Sequence, residues 1–154
     1  MAEQDARFED AATRPLRLRA ETVEDLAVIA AVLQDALGKL ADVAWMPRRR
    51  RFALVLNRFR WEEERRSAGG ERVRCGLNID NVMAVKGLGV DPGAAERIIS
   101  LLDLAFEPGE DGAGRLRLLL AGGGEIALEV EALELSLQDL SQPWQTGSVP
   151  SHEA

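Results

Sequence analysis

The side chains that carry most enzymatic chemistry are nearly absent from this chain. It holds one histidine, His152, one cysteine, Cys75, and no tyrosine among 154 residues. A transition-metal centre gathers imidazole, thiolate or carboxylate ligands, and a serine or cysteine nucleophile needs a base beside it. Either would have to recruit His152, close to the end of the chain. Cys75 alternates with Val73, Leu77 and Ile79, the pattern of a small core residue. Asp80, Asp103, Glu107, Glu129 and Glu131 are raw material for an all-carboxylate site, but outward carboxylates on strands are ordinarily solvated. No metal and no cofactor are expected. The glycine clusters do not change this. Gly87 to Gly93 lacks the dinucleotide-binding spacing and a phosphate-binding lysine. Gly122-Gly123-Gly124 leads into a strand, so it reads as a hairpin turn and offers no helix N-terminus to an anion.

The charge layout is the unusual feature. Residues 48–74 hold 10 arginines against 4 glutamates, a net of +6, and residues 103–154 hold 10 acids against 2 arginines, a net of -8. One reading is a basic site for phosphate, RNA or an acidic protein, built from Arg48, Arg49, Arg50, Arg58, Arg60, Arg72 and Arg74. The other is that basic and acidic strands neutralise one another within the fold. Alternation places Arg58, Arg60, Arg72 and Arg74 outward, with Arg48 to Arg51 crowding a turn. Phe59 and Trp61, the candidate stacking rings, then fall on the face opposite Arg58 and Arg60. The whole chain carries a net charge of -7, which opposes long-range steering of a polyanion or an anionic membrane. The leading expectation is a non-catalytic protein-binding or regulatory module. The alternative is an RNA- or phosphate-ligand-binding protein using the arginine-rich meander 48–74, with nucleic acid held weakly.

The elements that position these groups are legible in outline. Residues 1–14 are charged and aperiodic, a disordered lead-in without the apolar core of a signal peptide. Leu16 to Ala20 alternates as a short strand. Thr22 is a good N-cap with Glu24 and Asp25 in the first turn. Leu26, Ile29, Ala30, Leu33, Ala36, Leu37 and Leu40 then form an apolar stripe of a helix ending near Gly38 or Leu40. Strands are expected over Val43 to Met46, Phe52 to Trp61, Arg72 to Asp80 and Val82 to Val85. A second helix is expected over Ala94 to Leu102, with Asp91 as cap and Pro92 at its first position. Strands follow at Leu104 to Glu107, Arg115 to Leu120 and Glu125 to Val130. The inward phase then slips from Val130 to Leu133, which a bulge or bend near Ala132 would reconcile.

Asp42 to Pro47 echoes Asp103 to Pro108, each leading into an apolar run. The expected fold is therefore α+β, a mainly antiparallel sheet or barrel from two βαβββ-like repeats with two helices. Residues 15–140 form one duplicated domain, and 141–154 a tail whose Trp144 packs onto the body. In element order alone, paired βαβββ units resemble the glyoxalase and dioxygenase superfamily, but the histidines of such a metal site are missing here. The length suits one domain with a real core. No apolar run is long enough to span a membrane as a helix. A lone cysteine fits a reducing cytoplasm.

Several stretches resemble one family. These are LQDAL at Leu33 to Leu37, RRFALVLNRFRWE at Arg50 to Glu62, RVRCGLNIDNVMAVKGLGVD at Arg72 to Asp91, SLLDLAFEPGEDGAG at Ser100 to Gly114, the GGGEIALEV run and the DLSQPW exit at Asp139 to Trp144. They are similar to a bacterial family of uncharacterised proteins, domain of unknown function 2948, over roughly Leu16 to Trp144. The resemblance implies a bacterial cytoplasmic protein and transfers no catalytic residue, cofactor or activity.

Overall fold

A computed structural model describes residues 15–60 and 70–145. The expected lead-in 1–14, most of the polar loop after Arg60, Trp61 and His152 lie outside them. The elements are β1 Arg17–Ala20, α1 Val23–Val32, β2 Leu37–Lys39, β3 Val43–Met46, β4 Arg51–Phe59, β5 Glu71–Ile79, β6 Val82–Leu88, β7 Ile98–Pro108, β8 Gly114–Leu120, β9 Glu125–Val130, β10 Leu135–Asp139 and β11 Trp144–Gln145. Short 3-10 turns cover Leu40–Asp42 and Pro47–Arg49.

Every pairing is antiparallel, in the order β1-β10-β5-β4-β2-β7-β8-β9-β6, with β3 on β4 and β11 on β5. The path is open, with β1 and β6 at its ends, so the barrel alternative does not hold. The fold is α+β, and α1 is the one α-helix among the described residues. The strip β1-β10-β5-β4 and the strip β7-β8-β9-β6 turn their apolar faces into one cluster. Leu54, Leu56, Leu77, Leu137, Leu104, Leu118 and Leu128 all belong to it, with Leu26, Ile29 and Leu33 from α1.

Three residues splice the two strips. Leu37 pairs with Asn57 of β4 on one side, while Leu37, Gly38 and Lys39 pair with Ser100, Ile99 and Ile98 of β7 on the other. A Cβ at Gly38 would fall 2.8 Å from Leu56 Cδ2 and 2.9 Å from the Val55 carbonyl oxygen, so only glycine lets the strips approach this closely. The chain also crosses between strips at Asp80-Asn81, after β5, and at 131–134, after β9. The two crossings bond to each other: Glu131 N–H donates to the Asn81 carbonyl at 2.9 Å and Asp80 N–H to the Glu134 carbonyl at 3.0 Å. The phase slip near Ala132 is this crossing, where the chain bends at residues 131–132 as the slip implied.

α1 begins as expected, with Thr22 Oγ1 accepting the Asp25 N–H at 3.1 Å. It ends at Val32, earlier than the apolar stripe implied. Asp35 takes a left-handed backbone with φ 66, and the chain leaves as β2. Leu33 and Ala36 stay buried in the turn, so the stripe continued while the helix did not.

The second helix, and with it the two-helix repeat, is corrected. Ala94 to Leu102 forms a turn that runs into β7 at Ile98. Asp91 Oδ1 accepts the Gly93 N–H at 2.9 Å, closing a turn and capping no helix. The carbonyls of Ala95 and Arg97 accept from Ala41 and Leu40, so this backbone is satisfied across the chain. Ile98-Ile99 favours a strand locally, and β2 and β8 flank β7 on both sides. What the halves share is a three-stranded meander, β3-β4-β5 and β7-β8-β9, with Trp45 and Phe106 each half-buried in its first strand.

Cys75 sits in this core with no exposure, and burial pushes its thiol from the ordinary 9.0 up to about 12. The folded state thus holds the proton more tightly than the unfolded chain. Its contribution to stability is complete below pH 9 and is lost as pH rises through the interval from 9 to 12. Urea unfolding across that interval is expected to lose up to about 1.4 kcal/mol per pH unit on this account. Cys75→Ala, although less stable throughout, is expected to lack that part of the slope.

Candidate functional site

The arginine-rich meander is mostly spent inside the fold. Arg48 and Arg49 are exposed in the Pro47–Arg49 turn. Arg50 follows in a left-handed conformation with φ 52 and pairs with Glu131 at 2.9 Å. Arg51 pairs with Asp80 at 2.8 Å, and Arg60 with Glu71 at 2.7 Å. Arg72 lies half-buried, 5.9 Å over the Phe59 ring, and donates to the carbonyls of Asn57 at 3.1 Å and Asp35 at 3.4 Å. Burial lowers its pKa and the Asp35 carboxylate partly restores it. Arg74 is exposed on the outer face of β5.

The outward placement of Arg58 and Arg60 is overturned. Arg58 is 1% exposed and Arg60 5%. Phe52, Leu54 and Leu56 set the inward phase of β4, and Arg58 continues it. On β10, Leu135 and Leu137 set the phase that Asp139 continues. The two phases end in opposite charges that meet as a fork: Arg58 Nε to Asp139 Oδ1 at 2.9 Å and Nη2 to Oδ2 at 3.0 Å. Asp139 Oδ2 also accepts the Leu16 N–H at 2.8 Å, and its own N–H donates to the Leu16 carbonyl at 3.0 Å. This pair was legible in the phase of each strand, had that phase been read through to its last residue.

The carboxylates named as ligand material do not converge. Asp80 is taken by Arg51 and Glu131 by Arg50, while Asp103 Oδ1 accepts the Leu104 N–H at 2.8 Å. Across β8 and its neighbours Arg115 pairs with Glu129 at 2.7 Å, and Arg117 with Glu125 at 2.8 Å and Glu107 at 3.4 Å. These partners raise the pKa of both arginines, and Arg117 lowers that of Glu125. They are surface pairs and contribute little stability. Among the described residues no group of three or more His, Cys, Asp or Glu side chains could hold a metal ion. The Gly87 to Gly93 run leads into a turn and a strand, so no helix N-terminus stands there for an anion.

Sequence reasoning missed an open groove. Between α1 and β7 runs a groove of about 680 Å³, with Ala27, Ala30 and Ala31 on its helix wall and Leu102, Phe106 and Leu119 on its floor. A second hollow of about 530 Å³ shares Val23 and Phe106 with it and extends to Ala132 and Leu133. Val23 is 51% exposed and Leu102 47%. The signal lay in α1, where Val23, Ala27, Ala30 and Ala31 make a second apolar stripe beside the buried one. It was hidden because Leu102 was assigned to a helix. A third hollow of about 600 Å³ lies over β2 and β4, with Arg74 and Asn57 on its lining and the Lys39–Glu96 pair at 3.1 Å beside them. It is charged of both signs and has no apolar floor of comparable breadth.

Removing one partner of the Arg58–Asp139 fork leaves the other charge buried. Asp139→Ala is therefore expected to lower the unfolding free energy by about 3–5 kcal/mol, measured by urea denaturation. Arg58→Met combined with Asp139→Leu is expected to cost less than Asp139→Ala alone. A single substitution costing under about 1 kcal/mol would mean the pair is not closed in solution.

No curated protein and no solved structure matches the chain. One family model does, over residues 16–152, and its description is "Protein of unknown function (DUF2948)". With nearly the whole chain covered, the protein belongs to the DUF2948 family.

Proposed function

We propose that the protein is a non-catalytic binding module of the bacterial cytoplasm that docks another protein through the groove between α1 and β7. The observation that supports this is the groove itself, open and mostly apolar, with half-exposed Val23 and Leu102 at its mouth. Apolar surface left in water costs free energy that a partner recovers by covering it. Many of the described charged groups of the arginine-rich meander meanwhile go into ion pairs within the fold. The compartment comes from the resemblance, and among the described residues no helix is long and apolar enough to cross a membrane.

The test is a photo-crosslinking residue at Ala31, which is exposed on the groove wall, in the full-length protein expressed in its native cells. A discrete adduct with one protein is expected from Ala31, and none from Arg115 on the outer face of β8. No adduct, or the same adducts from both positions, would sink the docking reading.

The RNA- or phosphate-ligand reading keeps one supporting observation. Arg48, Arg49 and Arg74 have no carboxylate partner among the described residues and are exposed. Three cations on an acidic chain support only charge-driven association. Titration with labelled single-stranded RNA is expected to give a Kd of about 10⁻⁴ to 10⁻⁶ M, weakening steeply with salt. Sub-micromolar affinity at near-physiological salt, lost on Arg48→Ala with Arg74→Ala, would make this reading the correct one.

A further inference from the structure

We infer that the α1–β7 groove takes a basic amphipathic α-helix of the partner, lying alongside α1, an inference that rests on the docking reading above. Three features carry it. The first is the wall. Val23, Ala27, Ala30 and Ala31 recur at helical spacing along α1 and line the groove. Small side chains on a helix flank let a second helix lie close, at the lower end of the roughly 8–10 Å between packed helix axes. The second is the floor. Leu102 and Phe106 of β7 and Leu119 of β8 line the groove beside α1, an apolar floor on which a second helix would seat.

The third feature is charge, and it decides the chemistry. The linings of the groove and of the hollow joined to it include Asp103, Glu21 and Glu134 and no lysine or arginine among the described residues. Arg19 lies close enough to pair with Glu21 at 3.7 Å and with Glu134 at 3.4 Å, which leaves one net negative charge at that end. Asp103 has no cationic partner among the described residues, and exposed Glu24 stands one turn before Ala27 on the outer flank of α1. An apolar floor with an acidic rim complements a helix bearing leucine-like residues on one face and lysine or arginine at its borders. The same rim repels nucleic acid and anionic lipid.

The probe is a fluorescein-labelled 14-residue peptide with leucines at helical spacing and lysines elsewhere, titrated with the full-length protein by fluorescence anisotropy at near-physiological salt. Three unlabelled or labelled comparators go with it: the same composition in scrambled order, the same pattern with glutamate for lysine, and a peptide of residues 1–14 of this chain. The lysine peptide is expected to bind at least tenfold more tightly than the scrambled and glutamate peptides. Ala27→Trp, which fills the groove from an exposed position, is expected to weaken binding at least tenfold, and Asp103→Lys at least threefold. Glu129→Lys, on the outer face of β9, is expected to change it less than twofold. Thermal melts of the variants check that they fold.

Equal binding of the scrambled peptide would reduce the interaction to charge attraction and overturn the inference. So would equal binding of the glutamate peptide, unchanged affinity in both Ala27→Trp and Asp103→Lys, or residues 1–14 binding as tightly at the same place, which would make the chain its own occupant. A crosslinked partner at Ala31 alongside a failed lysine peptide rejects the basic helix and keeps docking. Absence of any crosslink rejects docking itself.

Discussion

The fold depends on a charge pair placed where charge is expensive. Arg58 and Asp139 lie in the core phase of β4 and β10, and an isolated ion there would cost several kcal/mol. The fork geometry and the Leu16 N–H satisfy the carboxylate, so the cost is met only when three segments meet in one register. β4 must bring Arg58 opposite Val73, β10 must bring Asp139 opposite Cys75, and the start of the described chain must lie against Asp139. A one-residue slip in either strand would carry its charge to the other face and leave its partner buried alone. A leucine pair at these positions would fill the space and tolerate such a slip. The pair therefore acts on uniqueness of register more than on net stability, and it orders the β1 edge along with the centre of the sheet.

The same logic runs through the segregated charges of the sequence. The basic block and the acidic block meet where the chain crosses between strips. Arg50 reaches Glu131 from the turn that precedes β4, and Arg51, the first residue of β4, reaches Asp80. Val82 N–H donates to the Arg50 carbonyl at 2.9 Å, so backbone and side chains of that turn both tie down the crossings. Asn81, left-handed with φ 62, adds a bond from its side-chain amide to Glu134 at 3.2 Å. The stretch that looked most like a ligand site is thus largely the polar seam of the fold. Arg48, Arg49 and Arg74 remain outside it.

What could be read from the sequence follows from which signals are local. β5, β8 and β9 alternate cleanly, and their spans were legible to within a residue or two. The start of α1 was legible because Thr22, Glu24 and Asp25 act within one turn. Within β7 the stretch Leu104 to Glu107 was legible as strand, but its first part was not, since AAERIISLL satisfies a helical spacing as well as a strand. What settled it was pairing with β2 and β8, distant in the chain. The end of α1 failed for a related reason. Leu33 and Ala36 serve the core from the turn after α1, and Leu37 opens β2, and apolar spacing does not distinguish these from helix. Arg58 and Asp139 were misplaced because charge was taken to mean exposure, against the phase that Leu54, Leu56, Leu135 and Leu137 had already set. For the groove, α1 carried its half of the signal, and the other half waited on β7 being a strand.

That groove is a consequence of covering a broad sheet with one short helix. α1 has ten residues, about 15 Å of helix, whereas β7 alone has eleven residues, more than twice that length at about 3.3 Å each. Leu26, Ile29 and Leu33 spend one face of α1 on the core. The adjacent alanine face then stands beside sheet that nothing among the described residues covers. Polar substitutions at Ala27, Ala31 or Leu102 would remove the exposed apolar surface without touching the core cluster, so the fold itself does not require apolar residues there. A Cβ at Gly114 would fall 2.5 Å from the Glu107 carbonyl oxygen and 2.6 Å from the ring of Phe106, so glycine there serves the close pairing of β7 with β8 as well as the seat of that half-buried ring. The half-exposed apolar surface and its acidic rim are the features on which the proposed docking of a basic helix rests.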